Sequence, residues 1–254
     1  MASAKQLLAA RIEVENVLHQ HKTAPAKDAY FDLQKYIGTQ FKVIGVKTPI
    51  ARQLHKQGYT FSGQSTEEQY IYWKYIWFSS EYHDVMTQGL YFCNQYIKSA
   101  APEYFFNEMQ EWLQRVDNWA HSDQLTHYFA VLHEQMPAMV YPVLRNWNKS
   151  TNPWERRQSV LSLLNYARAR KRYPAFTRIT ALVRPLLHDT DVFVQKGIGW
   201  CLRETGHIYP KETLAFLEKH YADLSAIAFS SATEKISAAK KEKLKSLRKK
   251  ARTP

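Results

Sequence analysis

Apolar positions along the chain recur with the period of a helix, and capping residues divide the sequence into many short helices. Four signals predict helix starts: Thr48-Pro49, the capping box of Ser65 with Glu68, Asn152-Pro153, and Asp191. Gly58 and Gly206 are predicted to end two of these helices. The helix that opens at Asn152 is predicted to run to about Ala169.

Further helical stretches are predicted over about 3–20, 27–37, 81–98, 102–115, 119–136, 138–147, 174–187 and 210–222. No segment alternates like a strand, and only 8 of 254 residues are glycine. An all-α fold follows. Trp119, Arg157 and Trp200 are separated by 38 and 43 residues, close to the roughly 40–47 of HEAT or armadillo repeats. This spacing predicts a superhelical solenoid of HEAT-like (armadillo-like) repeats with a concave groove, although coincidence explains it equally well.

Two of the predicted helices carry large polar or aromatic residues opposite their apolar stripes. At ~100° per residue, Trp119 and Asp123 lie away from the stripe of Leu125 and Phe129. In the helix after Asp191, the residues opposite the stripe are Lys196, Trp200 and Arg203. Arg157 lies only on the flank of its helix's stripe. Exposed faces of this kind suit a groove for a cationic or aromatic ligand on a phosphate backbone, and packing against a next helical layer is the alternative.

The net charge of +12 favours a polyanion as partner, and DNA, RNA and an acidic membrane surface all remain open. Nine Lys/Arg against two acids fall in residues 234–254, which predicts a repeat domain over 1–232 and a basic tail over 233–254.

No apolar run is long enough to span a bilayer. Only two cysteines occur, so a reducing, cytoplasmic compartment is expected. No cluster of metal-ligand spacing occurs.

Four segments resemble the AlkD-type DNA alkylation repair proteins in the same order. They are Asp117 to Asp123 with its W-x-x-x-D pattern, Asn152 to Arg157, Val194 to Glu204, and Tyr36 followed by Gly45 to Pro49. The run Q-K-G-I-G-W-C-L-R-E within the third segment is the most specific. His121 departs from the pattern, since relatives often have a small residue between the Trp and the Asp.

The resemblance implies a DNA N-glycosylase that acts on N3- and N7-alkylated purines without a metal or other cofactor. By position, Trp119, Trp200 and Tyr36 would contact the lesion nucleotide, and Asp123 would be the catalytic carboxylate. Arg157 and Arg203 would hold phosphates. Lys196 is added to the DNA-binding residues from its place on the helical wheel. The partner expected is double-stranded DNA with alkylated bases, bound by a monomer and away from membranes.

Two other functions are compatible with the same residues. A non-catalytic HEAT-repeat protein that binds distorted or branched DNA would use the basic groove without needing a carboxylate beside phosphates. A protein-protein scaffold is the third possibility, and the basic charge argues against it. The pair of Trp119 and Asp123 favours the glycosylase.

Overall fold

The computed structural model describes residues 2–23 and 32–252. In this part of the chain it contains fourteen α-helices and two short 3-10 helices, and its β structure is limited to an isolated bridge between Lys42 and Tyr82. The predicted all-α fold is therefore confirmed, whereas the HEAT-like repeat and the basic groove stay predictions. No helix among the described residues is long and apolar enough to cross a bilayer.

The chain divides into two compact units, with the boundary between Leu125 and Thr126. The first unit holds α1 (Ala4–Gln20), α2 (Leu33–Ile37), α3 (Thr48–Gln57), α4 (Thr66–Ser79), α5 (His83–Ser99), α6 (Pro102–Leu113) and the start of α7 (Trp119–Gln135). Its core is rich in large aromatic rings. Trp77 stacks on Trp112 with ring centroids 4.8 Å apart, and both side chains are fully buried. Part of the predicted helix 27–37 lies outside the described residues.

The second unit contains the rest of α7 and the remaining helices. These are α8 (Pro137–Trp147), α9 (Pro153–Leu161), α10 (Phe176–Val183), α11 (Val192–Ile208), α12 (Pro210–Lys219), α13 (Ala226–Ala232) and α14 (Ala238–Arg252), with 3-10 helices at Ala167–Ala169 and Arg184–Leu186. Helix α11 is central, because it packs against α9, α12 and α13.

The predicted caps at Ser65, Asn152 and Asp191 are confirmed, since each side chain accepts a hydrogen bond from a backbone N–H of the first turn. Two predicted helix ends are wrong. Helix α11 continues through Gly206 to Ile208, where Pro210 prevents a longer helix. The helix after Asn152 ends at Leu161.

Residues 233–252 of the C-terminal segment pack within the second unit. Leu244 of α14 is fully buried. The Arg248 guanidinium donates to the carbonyls of Tyr221 and Leu224 and lies 4.4 Å from the Phe229 ring centroid. These contacts hold α14 as a docked helix, so its lysines are presented from a fixed backbone.

Buried histidines predict a loss of stability in mild acid. Burial lowers the pKa of His133 to about 4, whereas an unfolded histidine titrates near 6.5. Below pH 6.5 the unfolded chain binds protons that the folded chain does not, so the free energy of unfolding falls with pH. His133 alone contributes a loss of about 2 kcal/mol at pH 5.

Urea unfolding at pH 7.5 and pH 5 measures this loss. His133→Gln should reduce the difference between the two conditions, and His188→Gln, at an exposed position, should not. An equal free energy of unfolding at both pH values would contradict the buried, neutral state of His133.

Candidate functional site

Trp119 and Tyr36 form an edge-to-face aromatic pair in the first unit. Their ring centroids are 5.4 Å apart with the ring planes at 89°, and the Trp119 indole donates to the Tyr36 backbone carbonyl over 3.0 Å. Trp119 is half-buried, whereas Tyr36 is 57% exposed. The two predicted lesion contacts of this unit are therefore neighbours, and they present aromatic surface to solvent.

Asp117 fixes the chain that follows Tyr36. Its carboxylate accepts from the Thr39 hydroxyl at 2.7 Å and from the Gln40 backbone N–H at 2.6 Å. Gly38 ends α2 in the left-handed region, with φ 72°, which turns the chain toward these contacts. Because only Asn118 separates Asp117 from α7, this carboxylate ties α2 to the start of the helix that carries Trp119.

His121 is a core residue and not a member of the exposed face of α7. Its ring is fully buried, stacks on His83 with centroids 4.2 Å apart, and bonds to the Thr87 hydroxyl at 3.0 Å. Its backbone N–H donates to the Asn118 side chain, which caps α7. Burial lowers the pKa of His121 well below 6.5. The residue that departs from the family pattern therefore lies in the core, away from Trp119 and Asp123.

Asp123 lies one turn along α7 from Trp119. The helix buries Leu125, Phe129 and Leu132 completely, whereas Asp123 and Trp119 are half-buried. The prediction that these two residues avoid the apolar stripe is confirmed. The first unit thus places a carboxylate and an indole in adjacent turns of one outer face.

Trp200 forms a second edge-to-face pair, with Tyr166, in the second unit. The centroids are again 5.4 Å apart, with the ring planes at 70°. Arg203 follows on the same helix, its guanidinium carbon 5.9 Å from the Trp200 centroid. Lys196 is exposed, and its ammonium lies 5.0 Å from the Phe193 ring. The prediction that Lys196, Trp200 and Arg203 avoid the core stripe of α11 is confirmed.

Tyr166 is a candidate site residue that the sequence did not reveal. It is 59% exposed, and among the described residues it is the only non-glycine with a positive φ, at 52°. The next backbone N–H, of Ala167, donates to the buried Glu204 carboxylate at 2.9 Å. A non-glycine residue in this region costs energy and commonly marks functional segments. Ser162 and Asn165 favour turns and hint at the helix end, but residue type gives no signal for Tyr166 itself.

Arg157 is 3% exposed, and its guanidinium donates to the Phe193 carbonyl at 2.7 Å. Gly197 makes room for it, because a Cβ there would lie 3.2 Å from Arg157 Cγ. These contacts give Arg157 a packing role between α9 and α11. Its phosphate contact stays a prediction, and the burial of the side chain counts against it.

Gly199 allows α13 to approach the segment of α11 that carries Trp200. A Cβ on Gly199 would lie 2.7 Å from the Ala228 backbone oxygen and 2.7 Å from Ser231 Cβ. Only glycine is compatible with this backbone approach. The glycine before the tryptophan in the G-I-G-W run therefore has a packing reason, which the sequence alone did not show.

No three His, Cys, Asp or Glu side chains within residues 2–23 and 32–252 are placed to hold a metal ion.

A family model and two solved structures all relate this chain to DNA alkylation repair proteins. The model of the DNA alkylation repair enzyme family matches residues 15–236, so most of the second unit is included and α14 lies beyond the match. A predicted DNA alkylation repair enzyme from Enterococcus faecalis has a TM-score of 0.67 at 16% identity, over 81% of this chain and 93% of that one. AlkD2 from Streptococcus mutans gives 0.55 at 16% identity, over 89% and 100%. These TM-scores establish a shared fold. No curated protein matches the chain.

Proposed function

The chain belongs to the DNA alkylation repair enzyme family, and we propose that it is a monofunctional DNA N-glycosylase that excises positively charged N3- and N7-alkylated purines from double-stranded DNA. One observation carries this proposal: Asp123 lies one turn from Trp119 on the outer face of α7. A protein that only binds phosphates gains nothing from a carboxylate at that place, because it repels the DNA backbone.

The chemistry needs a negative charge near the deoxyribose. Alkylation at N3 or N7 makes the purine cationic, so the base leaves with the electron pair of the glycosidic bond and becomes neutral. The positive charge moves to the sugar, where the Asp123 carboxylate stabilises it. Water then adds to the sugar carbon, and its proton passes to the carboxylate or to solvent. Neutral lesions leave poorly in this scheme, so the substrate range should be narrow.

The aromatic pairs supply binding surface for the lesion nucleotide. Trp119 and Trp200 each form an edge-to-face pair with a tyrosine, at the same centroid distance. Indole faces attract cationic rings, and aromatic side chains stack on bases of any sequence. We therefore assign lesion contacts to Trp119, Tyr36 and Trp200, and we add Tyr166 to them.

The basic residues of α11 supply phosphate contacts in this proposal. Lys196 is exposed, and Arg203 is half-buried beside Trp200. Arg203 is suited to hold a phosphate through two N–H groups, and Lys196 adds a point charge. Salt-dependent binding of duplex DNA, together with release of free base from a duplex that contains N7-methylguanine, tests the proposal as a whole.

Tyr166→Ala is expected to weaken the binding of lesion-containing DNA by roughly 5- to 150-fold, because base stacking on an aromatic ring contributes about 1–3 kcal/mol. Tyr166→Phe should retain most of the affinity, since it keeps the ring. Tyr173→Ala is the matched control, because Tyr173 is also an exposed tyrosine of the second unit, 42% exposed. Titration of a labelled lesion duplex measures all three. Equal affinities of Tyr166→Ala and Tyr173→Ala would remove Tyr166 from the binding surface.

A further inference from the structure

A cavity of about 220 Å³ lies in the second unit, next to the outer face of α11. Its walls come from the C-terminal half of α11, the start of α12 and the link between α13 and α14. Four residues with basic side chains line it, namely Arg203, His207, Lys235 and Lys240, and no carboxylate of the described residues is among its lining groups. Arg203, Lys235 and Lys240 are the charged groups of this lining and all three are cationic, so the space attracts an anion.

Glu234 neutralises two of these cations in the present structure. Its carboxylate contacts Arg203 Nη1 at 2.6 Å with one oxygen and Lys235 Nζ at 2.8 Å with the other. Lys235 and Arg203 lower the pKa of Glu234 to about 2, so the carboxylate is charged at neutral pH. The Glu234 side chain is 46% exposed, so it can move away without opening the core. The Glu234 carboxylate thus contacts two of the cations that the anion of a ligand would contact.

Lys240 adds a cation from a part of the chain that the family match does not reach. The match ends at residue 236, and Lys240 lies in the first turn of α14. Burial of Leu244 and the bonds of Arg248 fix this helix, so Lys240 is held at the cavity. Lys240 has no ion pair with any of the described residues.

We propose that this cavity binds one backbone phosphodiester of DNA, and that the phosphate displaces Glu234 when it binds. The proposal rests on the proposed function, because it takes DNA as the ligand. The volume is below the roughly 300–1,000 Å³ of pockets that enclose drug-sized ligands, so a phosphate group fits better than a whole nucleotide. Arg203 connects the cavity with the lesion contacts, since it also lies beside Trp200. Glu234 lowers the affinity for DNA, so the binding of undamaged duplex is weaker than it would be without this carboxylate.

Affinity for an undamaged duplex, measured over a range of salt concentrations, tests the proposal. Glu234→Gln should tighten binding by roughly 1.5- to 5-fold, the range expected when an exposed ion pair is removed. Lys240→Gln should weaken binding and reduce the slope of log K against log salt by about 0.9, the value for one phosphate contact. Lys243→Gln is the matched control on α14, because Lys243 pairs with Glu218 and does not line the cavity. It should change the slope by less than Lys240→Gln does.

A competition experiment with inorganic phosphate distinguishes the binding of free phosphate from the binding of a DNA phosphodiester. The site is supported if phosphate reduces duplex binding more than chloride does at equal ionic strength. This extra competition should be lost in Lys240→Gln. A wild-type slope in Lys240→Gln overturns the assignment to DNA, and an unchanged affinity in Glu234→Gln overturns the displacement. Melting curves check that each variant is folded. Undamaged DNA is not a substrate, so these results do not depend on whether base release occurs, and a failure of the proposed function would be seen separately.

Discussion

Asp123→Asn is expected to reduce the release of N7-methylguanine by a factor on the order of 10²–10³, the cost of removing an electrostatic stabiliser of a transition state. The fold should be unaffected, because Asp123 lies outside the buried stripe of α7. Binding of damaged DNA should hold or tighten slightly, since the carboxylate repels phosphates in the ground state. Its benefit is confined to the transition state, where the sugar becomes cationic.

Single-turnover release, a binding titration and a melting curve, run on the same protein, test this expectation. Glu103→Gln controls for the loss of one negative charge from the first unit, because Glu103 is exposed in the first turn of α6. If Asp123 only orders its surroundings, affinity and melting temperature would fall together with the rate. Near wild-type release by Asp123→Asn would remove Asp123 from the mechanism.

Gly199→Ala is expected to destabilise the second unit by about 3 kcal/mol, at the upper end of the cost of overpacking. The new methyl group would overlap backbone atoms of α13, which cannot rotate away as a side chain would. Helix α13 must therefore shift. Because α11 also carries Trp200, lesion binding should weaken as well.

Gly206→Ala is the matched control on the same helix. Its Cβ would meet only Thr213 Cγ2, at an ordinary 3.7 Å. The higher helix propensity of alanine should then stabilise the protein by up to about 1 kcal/mol. Urea unfolding of both variants measures the difference, which should have opposite signs. A Gly199→Ala protein as stable as the wild type would mean that α11 and α13 do not approach as closely as described.

The sequence was sufficient to predict where a helix begins when a single capping side chain determines that position. Ser65, Asn152 and Asp191 cap helices as predicted, because each satisfies a backbone N–H that the helix itself leaves open. The helical wheel also separated Trp119 and Asp123 from the buried stripe of α7. These faces follow from periodicity alone, which tertiary packing did not change.

One competing local signal and several tertiary contacts decided the positions that the sequence misjudged. Gly206 lies inside a helix because Pro210 sets the end, whereas the glycine signal suggested an earlier stop. Tyr166 adopts its left-handed backbone where Glu204 captures the next N–H, a contact across 37 positions of sequence. Arg157 is buried, which its place on the flank of the apolar stripe suggested only in part.

Release of free base by the wild-type protein distinguishes a glycosylase from a protein that only binds damaged DNA. Two duplexes of one sequence are compared in single turnover, one with N7-methylguanine and one with the neutral lesion hypoxanthine at the same position. We expect release of N7-methylguanine and little or no release of hypoxanthine, because only the cationic base leaves without protonation. Binding of the N7-methylguanine duplex with no base released would contradict it, and would identify a protein that recognises damaged DNA without cutting the glycosidic bond.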